Sequence, residues 1–244
     1  RTQDSLAGLR LASAALDTLG ERDDRVTVAT HIGRTLCRRG EYDEGLQWFH
    51  RAEQLVEPGT DDECDISVET ADALAGLGAI DEALARYRSA TEMLASRPLS
   101  WLEGRAWLGV GLCLARQGRH DAAREALLAS IEAFEADDNM LSKMTALLEL
   151  ATLEGENRET RQFAVDEARS VLALADVEST PFHACVAHLK LAEFASGAVG
   201  ERHLRAALRL AHRVGLAPLS MHVEQRLGRL LLDHRRTWEA APHV

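Results

Sequence analysis

The chain has 244 residues, of which 46% are hydrophobic, and a formal net charge of −11. This hydrophobic content is ample for a core, so a folded chain is expected and not a disordered one. Only 5 prolines interrupt long stretches of Ala, Leu, Glu and Arg, which are good helix formers, and no alternating β-branched run stands out, so an all-α fold is predicted. An acidic surface repels phosphate backbones, which makes nucleic acid an unlikely partner for most of the chain.

The distribution of charged residues and cysteines indicates the source and the cellular compartment of the protein. Residues 1–200 carry 20 basic and 35 acidic side chains, whereas residues 201–244 carry 8 and 4. Lysine is rare beside arginine, a bias typical of GC-rich bacterial genomes. The four cysteines are Cys37, Cys64, Cys113 and Cys185. Because they lie far apart in the sequence, we expect them to be reduced, which predicts a cytoplasmic protein. No run of 18 apolar residues occurs, so no membrane partner is expected.

Three similar segments are separated by 38 and 40 residues. They read Gly40-Glu-Tyr-Asp-Glu-Gly-Leu, Gly78-Ala-Ile-Asp-Glu-Ala-Leu and Gly118-Arg-His-Asp-Ala-Ala-Arg. Each glycine lies between two stretches of helical periodicity, where a helix end favours positive φ. The aspartates three residues later are predicted to cap the next helix and to face its positive dipole end. The pattern predicts helical hairpins that must stack to bury their apolar faces.

The third unit resembles the tetratricopeptide-repeat family. Its pattern is Trp107, Val110, Gly111 and Leu114, then Ala123 and Ser130, and the first unit matches through Ile32, Gly33, Tyr42, Phe49, Ala52 and Pro58. It departs from the family at Gly45 and Ser130, where alanine is usual, and at Thr70, where leucine is preferred. The resemblance implies a right-handed superhelical solenoid of antiparallel hairpins with about 12 helices.

The predicted organisation is one solenoid over residues 1–244. A helix at 3–21 precedes clear repeats at 22–59, 62–97 and 99–137. Degenerate repeats follow at 138–176 and 180–216, and a capping helix occupies 218–237. In the last repeat, Gly197 and Gly200 are expected to break the chain before a second helix over 201–214.

Sequence motifs for catalysis or metal binding are absent. His183 and His188 are five residues apart, which places them on different sides of one helix. No His-Glu-x-x-His motif and no close cysteine pair occur, and Gly109 and Gly111 lie inside a helix rather than in a phosphate-binding loop. We therefore predict a protein that is not an enzyme and has neither a metal nor another cofactor.

In the family, one side of each first helix lines a groove for peptides. The resemblance places there Thr30, Arg34, Arg38, Glu69, Asp72, Ala75, Arg105, Leu108, Leu112 and Arg116. The best-known family groove clamps a terminal carboxylate with lysine, asparagine and arginine. The matching positions of this chain are Thr30, Arg34, Glu69, Arg105 and Gly109. Only Arg105 is suited to bind a carboxylate, and Glu69 would repel one, so a ligand bound through its terminal carboxylate is disfavoured. Leu108 and Leu112 are either covered by a neighbouring helix or form an apolar floor, with Arg34, Arg38 and Arg116 anchoring acidic groups.

A second candidate surface is an arginine stripe at helical spacing, formed by Arg202, Arg205, Arg209 and Arg213. It is either a solvated face beside the inward Leu204, Leu208 and Ala211, or a docking surface for an acidic partner. One such partner is an acidic tract in another copy of the chain, and this contact would give head-to-tail self-association. The acidic tract consists of Glu57, Asp61, Asp62, Glu63, Asp65, Glu69 and Asp72.

These features favour a non-catalytic scaffold for a protein or peptide partner, as the regulatory or sensory repeat part of a bacterial signalling or transcription regulator. Two alternatives remain open. The first is a receptor for a small molecule or peptide signal, with a deep apolar pocket lined by Leu108 and Leu112. The second is a nucleic-acid regulator that uses the helices of residues 201–236.

Overall fold

The structure is a computed structural model that describes residues 8, 11, 14, 21–95, 100–155, 160–175, 180–195, 197–215 and 217–233. These residues contain helices and no strand, which confirms the all-α prediction. The helices are α1 (Arg22–Cys37), α2 (Tyr42–Glu53), α3 (Asp61–Leu77), α4 (Ile80–Ala95), α5 (Ser100–Arg116), α6 (His120–Ala136), α7 (Met140–Gly155), α8 (Arg161–Leu174), α9 (Pro181–Phe194), α10 (Gly197–Val214) and α11 (Ala217–Asp233). The helix predicted at 3–21 lies outside the described residues, except for the helical residues 8, 11 and 14 and for residue 21.

The chain divides into two compact units, Arg1–Asp137 and Asp138–Val244. In the first unit, α1 pairs with α2, α3 with α4 and α5 with α6. Neighbouring first helices also touch, because α3 contacts both α1 and α5. We call the surface of α1, α3 and α5 that carries the predicted groove residues the first-helix face.

Two of the three repeat glycines show how the hairpins of the first unit are closed. Gly40 and Gly78 have φ values of +81° and +82°, so the predicted positive φ is confirmed there. The aspartates meet only the dipole part of their prediction, because all three lie in the first turn of a helix. Asp43 and Asp121 lie inside the first turns of α2 and α6, and the residues that precede these helices make no side-chain capping bond. Their carboxylates therefore favour the helix dipole without capping the backbone.

Small residues allow the helices of each hairpin to approach closely. Gly104 on α5 faces the ring of Phe134 on α6, and a Cβ atom at Gly104 would lie 2.6 Å from the ring. Beside this contact, the buried Ser130 hydroxyl donates a 2.8 Å hydrogen bond to the carbonyl oxygen of Gly104. The serine that replaces the usual alanine thus joins α6 to α5 by a hydrogen bond as well as by packing.

Tyr87 on α4 connects the second and third hairpins. Its ring covers Gly109 on α5, where any Cβ atom would collide with it. Its hydroxyl donates a hydrogen bond to Asp72 on α3. A core side chain therefore fixes a carboxylate of the first-helix face in position.

In the second unit, α7 pairs with α8 and α9 with α10, and α11 packs against α10. One cluster of buried side chains in this unit includes Leu189, Leu204, Leu210, Val223, Leu227 and Leu231. The predicted break is confirmed at Gly197, where φ is +60°, because α9 ends at Phe194 and α10 starts at Gly197. It is wrong at Gly200, which lies inside α10. Position 200 in this helix holds glycine because a Cβ atom there would lie only 2.9 Å from the carbonyl oxygen of Ala195.

Candidate functional site

Five charged side chains meet on the first-helix face and form what we call the ionic cluster: Arg34, Asp65, Glu69, Asp72 and Arg105. From α5, Arg105 Nη2 lies 2.8 Å from Glu69 Oε1 and 2.6 Å from Asp72 Oδ2. From α1, Arg34 Nε lies 3.0 Å from Glu69 Oε1, and Arg34 Nη2 pairs with Asp65. Three carboxylates of α3 thus hold one arginine from each neighbouring first helix.

Burial and charge act together in the ionic cluster. Burial raises the pKa of Asp65 and the Glu69 carboxylate raises it further, while Arg34 and Arg105 oppose this rise. Burial lowers the pKa of Arg105, but the Asp72 and Glu69 carboxylates outweigh burial, so that its pKa is raised overall. Because three carboxylates face two guanidinium groups, the cluster keeps a formal charge of −1. Such a network fixes the register of the three helices and offers little to an acidic ligand.

The expected role of Arg34 changes as a result. It was predicted to anchor an acidic group of a partner, but Asp65 and Glu69 already neutralise it. Arg105, the one residue suited to a carboxylate clamp, is likewise held by Glu69 and Asp72. Glu69 is only 11% exposed in its side chain, so it acts as the centre of the ionic cluster.

The remaining predicted groove residues lie towards the C-terminal ends of α1 and α5. Arg38 is exposed and its Nη2 donates to Thr35 Oγ1 over 3.2 Å. Arg116 is exposed and its Nη1 donates to the carbonyl oxygen of Ala75, in the last turn of α3, over 3.2 Å. Leu108 and Leu112 are half-buried and lie between Arg105 and Arg116 along α5. This part of the first-helix face combines apolar surface with two accessible cations.

Thr30 does not face a ligand through its hydroxyl. It is buried, and its Oγ1 donates to the carbonyl oxygen of Val26 within α1 over 2.9 Å. It lines a cavity of about 130 Å³ together with Arg34 and Asp65. This volume is below the range of about 300–1,000 Å³ that ligand pockets usually have.

Two residues that belong to this region were not predicted as site residues from the sequence. Asp65 was assigned to the acidic tract, although its spacing of four and seven residues from Glu69 and Asp72 puts all three on one helical face. Tyr87 is the other residue, and its ring lies in the core. No sequence signal pointed to the hydrogen bond between its hydroxyl and Asp72.

Cys37 has a thiol that senses the charges of the ionic cluster and is not activated. Burial, followed by the charges of Glu69 and Asp72, raises the pKa of Cys37 to about 11. A thiol with a raised pKa is a poor nucleophile at neutral pH. All four cysteines are free, as expected.

The arginine stripe lies on α10 in the second unit. Arg202, Arg209 and Arg213 are exposed, whereas Arg205 Nε lies 2.9 Å from Glu201 Oε1 and is half-buried. The inward Leu204 and Ala211 are buried as predicted. The acidic tract proposed as its complement is largely engaged within the first unit, because Asp65, Glu69 and Asp72 hold Arg34 and Arg105 and Glu57 lies 3.5 Å from Arg22. A head-to-tail contact would therefore depend on the rest of the tract, such as the exposed Asp61 and Asp62, and it stays a prediction.

The histidines of α9 lie on different sides, as their spacing predicted. His183 Nε2 is 3.1 Å from the Thr145 hydroxyl on α7, whereas His188 Nδ1 is 2.9 Å from His203 Nδ1 on α10. Burial, together with His203 and Arg209, lowers the pKa of His188 to about 4. The pair is thus uncharged at neutral pH and joins two helices.

Two features are absent from the part of the chain that the structure describes. No three side chains of His, Cys, Asp or Glu type are placed to share a metal ion there. Nor does any helix among those residues have the length and apolar character needed to cross a membrane.

Comparison with known proteins identifies the class of this fold. Residues 24–96 match the family model for the tetratricopeptide repeat. No curated protein matches the chain. The resemblance found in the sequence is therefore confirmed over those residues by an independent match.

Three solved structures share the fold at low identity. RapI in its apo form has a TM-score of 0.79 at 11% identity, over 100% of this chain and 89% of RapI. Aspartyl phosphate phosphatase F from Bacillus subtilis has a TM-score of 0.72 at 13% identity, over 96% of this chain and 62% of that one. The quorum sensor NprR from B. thuringiensis has a TM-score of 0.70 at 10% identity, over 99% and 73%. The chain thus has the fold of the tetratricopeptide-like helical repeat proteins.

Proposed function

We propose that this protein is a non-catalytic regulatory module of the bacterial cytoplasm, and that it binds a peptide or a peptide segment of a protein on its first-helix face. The observation that carries the proposal is the half-buried pair Leu108 and Leu112, placed between the ionic cluster and the exposed Arg116. A peptide with apolar side chains and an acidic group complements this surface. The similarity in fold to a quorum sensor supports a sensory role.

The same surface is less suited to a small molecule than to a peptide. Leu108 and Leu112 are half-buried and lie one helical turn apart on α5, and we propose that they act as a platform along this helix. A small molecule needs an enclosing cavity, whereas an extended peptide or a helix can lie across a platform. We therefore favour the peptide over the small molecule at this face.

The test is a selection from a library of random linear peptides against the immobilised protein. We expect enriched peptides to combine apolar and acidic residues, and to bind the double variant Arg38→Glu/Arg116→Glu about tenfold more weakly, because two accessible ion pairs become repulsive. Arg34 is unsuitable for this test because its replacement would disrupt the ionic cluster.

The matched control is Arg209→Glu/Arg213→Glu, which reverses the same number of charges on exposed arginines of α10. It should bind the selected peptides as the wild type does. Equal binding of the peptides to the wild type and to the Arg38→Glu/Arg116→Glu variant would reject the first-helix face as the binding site.

A further inference from the structure

Three cations of the arginine stripe on α10 are not neutralised within the second unit. Arg202, Arg209 and Arg213 are exposed, and their side chains form no ion pair or hydrogen bond with another residue that the structure describes. In the first unit, by contrast, the carboxylates of α3 hold Arg34 and Arg105. A chain with a net charge of −11 thus leaves three guanidinium groups uncompensated on one helix.

These three arginines lie on one side of α10. A helix turns by about 100° per residue, so that positions 202, 209 and 213 fall within an arc of about 40° and span about 16 Å along the axis. The buried Leu204 and Ala211 occupy the opposite side of the helix. The stripe is therefore a straight row of charges that faces away from the core of the second unit.

Carboxylates beside the stripe already have partners. Glu201, the one acidic residue of α10, lies 2.9 Å from Arg205. From α9, Glu193 Oε1 lies 2.6 Å from Arg226 Nη1. From α11, Glu224 Oε1 lies 3.3 Å from a histidine near the end of α10. These carboxylates are therefore not free to neutralise the stripe.

The charges of the stripe act on the adjoining histidine pair, which joins α9 to α10. Burial lowers the pKa of His203, and the charges of Arg202 and of Arg169 on α8 lower it further. Burial and His203 lower the pKa of His188 to about 4, with a further contribution from Arg209. The positive field thus extends from the stripe to its neighbours, and an anionic group bound at the stripe would relieve it.

We propose that α10 binds an acidic segment of a partner protein through Arg202, Arg209 and Arg213. A single carboxylate or phosphate group cannot reach three cations spread over about 16 Å, whereas about five residues of an extended peptide cover this distance. Carboxylates on alternate residues of such a peptide lie about 7 Å apart, and the long arginine side chains can adjust to this spacing.

A nucleic acid is the poorer candidate for the stripe. Its dense row of phosphates acts over a long distance and is repelled by the net charge of −11. A short acidic peptide interacts with the stripe locally, because salt screens its charges from the rest of the chain.

The test is the binding of a fluorescein-labelled peptide of about ten residues that alternates glutamate and glycine, followed by fluorescence anisotropy. Arg209→Glu/Arg213→Glu should weaken binding about tenfold, because two attractive ion pairs become repulsive. Arg209→Lys/Arg213→Lys, which keeps both charges, should change the affinity by less than about threefold. Raising the salt concentration from about 50 mM to about 500 mM should weaken wild-type binding several-fold.

Three comparisons can overturn the proposal. The matched peptide with glutamine in place of glutamate should not bind, and a short DNA duplex should bind more weakly than the glutamate peptide. Equal binding of the glutamine peptide, tighter binding of the DNA, or unchanged affinity in Arg209→Glu/Arg213→Glu would contradict the acidic segment. A wild-type dimer that this variant converts to a monomer in sedimentation velocity would assign the stripe to a second copy instead.

The variants of the two surfaces serve as reciprocal controls. Arg38→Glu/Arg116→Glu should bind the glutamate–glycine peptide as the wild type does, because this peptide has no apolar side chain for Leu108 and Leu112. The acidic segment and the peptide of the first-helix face can therefore fail independently. Because Arg209 and Arg213 are exposed, Arg209→Glu/Arg213→Glu should keep the denaturant midpoint of the wild type.

Discussion

Replacing Arg105 by methionine should lower the free energy of unfolding by about 3 kcal/mol at pH 7. Methionine keeps most of the apolar length of arginine but removes the cation that holds Glu69 and Asp72. The carboxylates of α3 are then opposed by Arg34 alone. The value is at the lower end of the range for broken buried pairs because the Asp72 side chain is 45% exposed. Denaturant unfolding monitored by tryptophan fluorescence measures it.

The pH dependence of this loss distinguishes charge from packing. Burial raises the pKa of Asp65, and Arg105 lowers it, so the variant should have a still higher pKa at this carboxyl in the folded state. A carboxyl whose pKa is higher in the folded than in the unfolded state destabilises the protein as the pH rises through the folded pKa. The difference between variant and wild type should therefore be largest at pH 7 and shrink under mildly acidic conditions. A loss that is independent of pH would contradict the electrostatic explanation.

The control for Arg105→Met is the same substitution at the exposed Arg119, in the turn before α6. Surface substitutions of this kind usually change stability by less than about 0.5 kcal/mol. If Arg119→Met were as destabilising as Arg105→Met, the effect at Arg105 could not be assigned to the ionic cluster.

Phe134→Ala should destabilise the protein by about 3–5 kcal/mol, because it removes a fully buried aromatic ring and leaves a cavity. The ring is 1% exposed and closes the contact between α6 and α5 against Gly104. The neighbouring hydrogen bond from Ser130 to Gly104 should become more accessible to water. Denaturant unfolding measures the loss in unfolding free energy, and hydrogen exchange of the α5 and α6 amides shows where the structure becomes more accessible to water.

Phe163→Ala is the matched control, since the Phe163 side chain is 57% exposed on α8. It should leave the unfolding midpoint close to that of the wild type. A similar loss of stability in both variants would mean that the contact with Gly104 has no special weight.

Much of the helical framework was readable in the sequence, because a glycine at a helix end and the apolar period of a helix are local signals. Gly40 and Gly78 marked hairpin turns, and Gly109 was correctly placed inside a helix. The start of α10 was misplaced because Gly200 looked like a helix breaker. Its small size instead allows close packing against the backbone at Ala195, which the sequence does not reveal.

The site was only partly predictable, because ion pairing depends on the register between neighbouring helices. The sequence placed Arg34, Glu69 and Arg105 on the first-helix face. It could not show that the arginines would reach the carboxylates of α3 instead of a partner. A charged face that is solvated and one that is internally paired have the same spacing along the chain.

Departures from the family pattern proved to be informative positions. Ser130, where alanine is usual, forms a hydrogen bond to Gly104 across the hairpin. Thr70, where leucine is preferred, has a buried hydroxyl without a hydrogen-bond partner among the described residues. Each of these two departures adds a polar group at a buried position; a hydrogen bond satisfies the group at Ser130, whereas the group at Thr70 has no partner among the described residues.

The peptide surface on α1, α3 and α5 is the central claim, and photo-crosslinking tests it most directly. A peptide enriched from the random library is resynthesised with a benzophenone side chain at an apolar position, crosslinked to the wild-type protein, and mapped by mass spectrometry. We expect the crosslinks on α5 at Leu108–Arg116 and on the adjoining last turns of α1 and α3. Crosslinks confined to the second helices α2, α4 and α6, or to the arginine stripe of α10, would contradict the claim.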